Sequence, residues 1–188
     1  MIIKDNEIAD ISTPTGDMRL HIFRPAAPGR YPGILMFSEI FQVTGPIGRT
    51  AAMLAGHGFV VACPEIYHEL EPAGTVLAYD EDGTARGNAH KIAKEISAYD
   101  SDARAVLDYL KTLDYCTGRL GVMGICIGGH LAFRAADINS GPEDHHAREP
   151  TAWLSHAASE CVKEFRARDI RRRRRRGARR PRPWAPRR

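Results

Sequence analysis

The sequence has no run of 18 or more apolar residues, so it predicts no membrane-spanning helix. Its first residues, Met1 to Asp5, lack the basic region and apolar stretch of a signal peptide. Cysteine is scarce, and the four cysteines form neither a CxxC metal clip nor a dense disulfide framework. These absences exclude a disulfide-stabilised secreted domain and predict a cytoplasmic protein with free thiols, no membrane association, no cofactor and no metal.

The chain also lacks an even distribution of charge. Residues 1–137 contain 12 Lys and Arg against 17 Asp and Glu, whereas residues 138–188 contain 15 against 6. An unbroken run of six arginines, Arg171 to Arg176, lies in the second part. We therefore expect one folded domain over residues 1–137, with 43% hydrophobic residues in the whole chain to build its core, and a mostly disordered Arg/Pro-rich tail over 138–188.

Apolar periodicity over the first part predicts strands that alternate with helices. An antiparallel hairpin with one solvent-exposed face is expected at 8–24, and buried strands are expected at 33–37, 59–63 and 119–123. Helices are expected at 45–56, about 90–113 and 131–136. Residues 64–88 show no sustained period and are interpreted as an excursion above the sheet. This alternation is typical of an α/β fold with a doubly wound, mostly parallel sheet.

The segment Gly124-Ile125-Cys126-Ile127-Gly128 follows the last predicted strand and precedes a helix. In a G-x-nucleophile-x-G segment the nucleophile lies on a sharp strand-to-helix turn, and Gly124 and Gly128 allow strand and helix to approach closely. This context predicts the nucleophile elbow of an α/β-hydrolase with Cys126 as nucleophile. The alternative is a buried cysteine at a tight turn, which is the favoured interpretation for Cys63 and Cys116.

A second candidate segment, Ser38-Glu39-Ile40-Phe41, follows the strand that ends at Phe37, at the carboxyl edge of the predicted sheet. In α/β-hydrolases the oxyanion hole combines the amide after the nucleophile with an amide from this loop. Those amides belong here to Ile127 and Ile40.

Together with Cys63-Pro64-Glu65-Ile66-Tyr67, these two segments resemble the dienelactone hydrolase family over about residues 5–137. The resemblance implies hydrolysis of a lactone or small carboxylic ester, a small-molecule substrate, through a cysteine acyl-enzyme. It assigns to Glu39 a contact with the nucleophile that governs when the thiol ionises. It also implies an arginine that holds the substrate carboxylate; Arg86 is the candidate, and an ordinary exposed arginine is the alternative.

The base and the acid of a catalytic triad are not found in the sequence. They should follow the nucleophile in loops after later strands, but no such strand is recognisable beyond Asp137. The histidines and aspartates downstream of Cys126 follow no such strand, and none of them is assigned as base or acid: His130, His145, His146, His156, Asp137, Asp144 and Asp169. We therefore expect a domain truncated after the elbow helix, and we interpret the GC-codon composition of the tail as a frameshift near Asp137.

Two other hypotheses stay open at this stage. The basic tail of a catalytically inactive fragment would bind nucleic acid or another anionic surface without sequence specificity. Alternatively, the chain is a remnant that does not fold stably, because a parallel sheet that stops after three parallel strands leaves an open edge and one face partly uncovered.

Overall fold

The computed structural model describes residues 1–139, which belong to one compact unit of the chain. Along the chain the elements are β1 (Ile3–Thr13), β2 (Gly16–Pro25), β3 (Tyr31–Phe37), α1 (Gly45–Gly56), β4 (Val60–Pro64), α2 (Glu81–Ala93), α3 (Ile96–Thr112), β5 (Cys116–Gly124) and α4 (Ile127–Asn139). One five-stranded sheet has the order β1-β2-β4-β3-β5. Among these residues, no helix is long and apolar enough to cross a bilayer.

The strand pairing confirms the predicted change from an antiparallel to a parallel sheet. Strands β1 and β2 form the hairpin, with Thr13 opposite Gly16 at the turn, and β2 pairs antiparallel with β4. Strand β3 pairs parallel with β4 on one side and with β5 on the other. The carboxyl ends of β3, β4 and β5 therefore meet at one edge of the sheet, which is where open α/β folds bind ligands.

Helices cover both faces of this sheet, as a doubly wound fold requires. Successive strand residues alternate between the faces: Leu35 packs toward α3 and α4, whereas Met36 packs toward α1. The first face buries the larger apolar cluster, which includes Leu107 of α3 and Ala135 of α4. Strands β3 and β4 are apolar throughout because both of their faces lie against helices.

The predicted single helix over 90–113 is wrong at its beginning. The structure has α2, which begins at Glu81 inside the predicted excursion, and a separate α3 that begins at Ile96. The Asp80 carboxylate caps α2 by accepting from the amide of Gly83. The break lies at Lys94, whose backbone is extended with a ψ angle of 127° and whose buried side chain bonds Asp102.

The prediction of a fully buried third parallel strand is also wrong. Strand β5 pairs only with β3 among the described strands, and Arg119 and Gly121 on it are exposed. On the sheet face that α1 covers, an open groove of about 390 Å³ runs along β5 and is lined by Ile34 of β3 and Met123 of β5. Helix α1 covers β1, β2 and β4 but does not extend over β5, so the strand keeps one partly open face.

Candidate active site

Cys126 lies on the sharp turn between β5 and α4. Its φ angle is +60°, in the left-handed region that residues other than glycine rarely adopt. The turn leaves the cysteine exposed, whereas Cys63 and Cys116 are buried. The structure thus gives Cys126 the strained, projecting geometry of a nucleophile elbow, and burial raises the pKa of Cys63 to about 12.

Two glycines make this turn possible through close packing. A Cβ atom on Gly124 would overlap the carbonyl oxygen of Gly128. A Cβ atom on Gly128 would lie 2.6 Å from the carbonyl oxygens of both Phe37 and Ser38. Since real Cβ atoms do not come so near to backbone oxygens, the elbow and the end of β3 can meet only where side chains are missing.

The loop after β3 lies directly against the elbow. The amide of Ile125 donates to the carbonyl oxygen of Phe37 at 3.2 Å. The predicted oxyanion donors, the amides of Ile40 and Ile127, give no hydrogen bond to a backbone acceptor within residues 1–139. Both amides are therefore without such an acceptor beside the elbow, and their function as an oxyanion hole stays a prediction.

Glu39 contacts a tyrosine that the sequence did not indicate. The hydroxyl of Tyr79 donates to Glu39 Oε1 and also bonds Thr44 Oγ1 at 2.8 Å. No hydrogen bond joins Glu39 to Cys126 in the described part of the chain. The described side-chain hydrogen bond of Glu39 thus goes to Tyr79 rather than to Cys126, and the function of Glu39 stays a prediction.

Tyr67 is a buried aromatic residue from the segment that carries the family resemblance. It is fully buried, and its hydroxyl donates to the carbonyl oxygen of Gly87 at 3.1 Å. Burial is the main cause of the raised pKa of Tyr67, and its interactions with Tyr99 and Cys126 add to it. The side-chain oxygen of Gln42, a buried residue with φ +69°, accepts from the Tyr67 amide and so holds this residue in place.

Arg86 lies on α2, where its guanidinium bonds Glu71 Oε2 at 2.5 Å. The Glu71 carboxylate is almost fully buried and also accepts a hydrogen bond from Nε2 of His90 at 2.5 Å. Half of the Arg86 side chain remains exposed. The ring of His90 packs 5.2 Å from that of Tyr67. The carboxylate therefore orients Arg86 and leaves part of the guanidinium side chain open to solvent.

The expected base and acid are not brought to the thiol by the described residues. His130 is exposed on α4, four residues beyond Cys126, and Asp137 is exposed near the end of the same helix. The other candidates, His145, His146, His156, Asp144 and Asp169, lie outside the described residues, as do the arginine run and most of the predicted tail. The domain boundary at 137 and the frameshift likewise stay predictions.

A partly buried charged cluster lies where α3 meets the segment between β4 and α2. His68, Glu69 and Asp102 place one potential ligand atom each within 4.8 Å of one another. The ammonium of Lys94 already lies among them, 2.6 Å from Asp102 and 2.7 Å from Glu69. The side chain of Lys94 is fully buried, and it supplies the positive charge that these carboxylates require.

Sequence alone did not indicate Thr44, Gln42, Glu71 or Tyr79. Thr44 and Tyr79 are 35 positions apart, and Glu71 and His90 are 19 apart. Such pairs leave no periodic signal, because loops rather than a repeating element bring them together. Tyr67, in contrast, lies in the segment that carries the family resemblance and could be associated with the site from the sequence.

Comparison with known proteins agrees with this geometry. The family model described as "Dienelactone hydrolase family" matches residues 18–143. A Saccharomyces cerevisiae protein, provisionally named as a carboxymethylenebutenolidase, is 41% identical over 132 residues, which are 67% of this chain and 48% of that protein. The carboxymethylenebutenolidase of a Pseudomonas species, strain P51, is 32% identical over 124 residues, 64% of this chain and 50% of that enzyme.

Solved structures show the same fold. A Klebsiella pneumoniae protein provisionally titled a dienelactone hydrolase superimposes with a TM-score of 0.62 at 22% identity, over 72% of this chain and 55% of that one. A dienelactone-hydrolase-like promiscuous phosphotriesterase from metagenomic libraries gives 0.58 at 19% identity, over 73% and 55%. The chain spans about half the length of the curated relatives it matches. With its elbow, its sheet and its sequence in agreement, this chain belongs to the dienelactone hydrolase family.

Proposed function

We propose that the protein is a hydrolase that cleaves a lactone or a small carboxylic ester through a covalent intermediate on Cys126. The observation that carries this proposal is the exposed cysteine at φ +60° between β5 and α4. Strained backbone of this kind persists where surrounding structure holds it, and it is concentrated at functional sites. Membership of the family, whose relatives are named carboxymethylenebutenolidases, supports the substrate class.

The chemistry begins with the thiolate of Cys126. Its sulfur attacks the carbonyl carbon, and the negative charge that develops on the carbonyl oxygen is stabilised by the amides of Ile40 and Ile127. Each such donor is worth about 2.7–4 kcal/mol in the transition state. Collapse of the tetrahedral intermediate breaks the carbon–oxygen bond of the ester, the leaving oxygen takes a proton, and a thioester remains. Water then hydrolyses the thioester and regenerates the thiol.

The charged residues of this site have separate functions in the proposal. Glu39, next to the oxyanion amide of Ile40, governs the ionisation of the thiol. Arg86, oriented by the buried Glu71 and half exposed, binds the substrate carboxylate. The base that takes the thiol proton and the acid that orients this base are not identified among residues 1–139, so efficient turnover depends on groups supplied from outside them.

The proposed location is the cytoplasm, because the three described cysteines are all free thiols, as a reducing compartment allows. The alternative function, binding of nucleic acid by the basic tail, depends on residues outside the described part of the chain. The comparisons with known proteins give it no support.

Replacement of the nucleophile tests the proposal. In Cys126→Ser, compared in a Cys161→Ser background, we expect labelling by a neutral thiol reagent, and any hydrolysis of an activated ester, to fall by at least tenfold, because the other described cysteines are buried. The control is Cys116→Ser, which changes a buried thiol. Far-UV circular dichroism confirms that each variant is folded. If labelling and hydrolysis are the same in Cys126→Ser as in the unchanged protein, Cys126 is not the nucleophile.

A further inference from the structure

We infer that Tyr79 is a positioning residue, which holds the carboxylate of Glu39 in its resting orientation and thereby keeps it from Cys126. This inference rests on the proposed function of Cys126 and Glu39. It concerns a residue on the chain segment before α2, 40 positions after the glutamate that it contacts. It assigns a function to a hydrogen bond that is explained neither by the elbow nor by residues 38–41 after β3, which we call the oxyanion loop.

The direction of the hydrogen bonds follows from the number of hydrogens. A phenol has one hydrogen, and an ionised carboxylate can only accept. Since Tyr79 donates to Glu39, the bond of 2.8 Å between Tyr79 and Thr44 must use the hydrogen of Thr44. Thr44 therefore donates to Tyr79, Tyr79 donates to Glu39, and the chain of bonds ends on the carboxylate.

Thr44 gives up a usual function to make this bond. It is the N-cap residue of α1, where a threonine side chain normally accepts from an amide of the first turn and stabilises the helix. Here the side chain makes no capping hydrogen bond. Its hydroxyl instead fixes the position of the Tyr79 oxygen, so the arrangement at the carboxylate is formed at the expense of the cap.

Further contacts hold the tyrosine against the oxyanion loop. Its ring packs on that of Phe41 at 4.5 Å between centroids. The amide of Leu77 donates to the carbonyl oxygen of Phe41 at 3.1 Å and ties the two chain segments together. Tyr79 is thus anchored to the loop that carries both Glu39 and the Ile40 amide, although more than half of the residue is exposed.

Loss of the phenol hydroxyl frees the carboxylate to approach the thiol. A negative charge near a thiol disfavours the thiolate, so the pH at which Cys126 becomes reactive rises. The titratable groups around these two side chains are Tyr67, which interacts electrostatically with Cys126, and Tyr79 itself, which in turn feels the charge of Arg49. All of them remain in the variant except the hydroxyl that is removed.

The test is the pH dependence of alkylation of Cys126 by iodoacetamide in the full chain, measured by mass spectrometry of the peptide that contains this residue. In Tyr79→Phe we expect the midpoint pH of the alkylation profile to move upward. Below that midpoint, the alkylation rate should be about threefold lower than in the unchanged protein. In a Glu39→Gln background the same substitution should produce no further shift, because the group through which Tyr79 acts is already neutral. Tyr31→Phe is the matched control, since it removes a tyrosine hydroxyl that bonds Ala27 instead.

Each outcome has a distinct meaning. Superimposable profiles for Tyr79→Phe and the unchanged protein overturn the inference, and so does a shift of equal size in the Glu39→Gln background. Thr44→Val provides a second variant, which should shift the profile in the same direction and by less. If alkylation is independent of Cys126, shown with Cys126→Ser, the proposed function fails instead, and the two failures are thereby distinguished.

Discussion

At the scale of single residues, the site depends on how closely backbone segments approach each other. Cys126 and Gln42 both adopt positive φ angles, and Cys126 lies between Gly124 and Gly128, where a side chain would not fit. Such conformations cost about 1–3 kcal/mol each and need the surrounding packing to hold them. The geometry of the elbow is therefore sensitive to single added methyl groups.

Gly128→Ala tests this close packing. Its new methyl group would lie 2.6 Å from two carbonyl oxygens at the end of β3, so the elbow must move away from the oxyanion loop. We expect the free energy of unfolding, measured with urea by circular dichroism, to fall by about 1–3 kcal/mol, and labelling of Cys126 to change with it.

Gly129→Ala is the control on the same helix. A methyl group there would meet only the Gly124 carbonyl oxygen, at an ordinary 3.8 Å. Alanine is the better helix former by about 1 kcal/mol, so this variant should be at least as stable as the unchanged protein. Equal loss of stability in both variants would contradict the packing explanation.

At the scale of secondary-structure elements, the junction between α2 and α3 is set by buried charge. Lys94 turns inward between the helices and bonds Glu69 and Asp102, and its ammonium lies 5.1 Å from the ring of Tyr99. Burial raises the pKa of Asp102, although the lysine opposes that effect. A buried pair of this kind specifies where the chain bends more than it stabilises the fold.

His68 in the same cluster makes stability depend on pH. Burial lowers the pKa of His68, and the charge of Lys94 lowers it further. A histidine with a lowered pKa in the folded state takes up its proton more readily when unfolded. Its contribution to stability is therefore present above about pH 6.5, the usual histidine value, and is lost as the pH falls from there toward the lower folded value.

His68→Gln tests this dependence. Between pH 7.5 and 5.5 we expect the unchanged protein to lose more free energy of unfolding than the variant, as measured by urea titration at each pH. Asp102 acts in the opposite sense, because protonation at low pH relieves its burial, and it is present in both proteins. His57→Gln, a change of an exposed histidine, is the control. An identical loss in the unchanged protein and in His68→Gln would contradict the prediction.

At the scale of the whole molecule, one sheet carries two apolar clusters. The cluster beneath α3 and α4 and the smaller one beneath α1 share the strands β2, β3 and β4, whose residues alternate between them. Neither cluster can lose its packing without exposing the back of the other. We therefore expect the sheet and all of its helices to unfold together, in contrast to an unstable remnant.

Thermal unfolding of the full chain by circular dichroism checks this expectation. Leu107→Ala removes a buried side chain from the first face, and Met36→Ala removes one from the second. Each should cost about 2–5 kcal/mol and move the same single transition to lower temperature. Two separate transitions, each lowered by only one of the variants, would show that the faces are not coupled.

The sequence by itself determined the hairpin, the parallel strands β3 and β4, helix α1 and the elbow. Each of these depends on a period of two or 3.6 residues, or on glycines at short spacing. Local backbone geometry alone determines the structure that such patterns favour. It also indicated that Cys126 and the Glu39 loop meet, because parallel strands end at one edge of a sheet.

Only the tertiary structure decided what Glu39 contacts, where α2 ends and how exposed β5 is. The hydrogen bond from Tyr79 to Glu39 joins residues far apart in the chain. So does the close packing of Gly87 on Ile40, where a Cβ atom on Gly87 would lie 2.5 Å from the Ile40 carbonyl oxygen. The exposure of β5 depends on which strands and helices lie beside it. Long-range contacts of this kind have no signature in local sequence, because many chain paths could bring the same residues together and packing selects one of them.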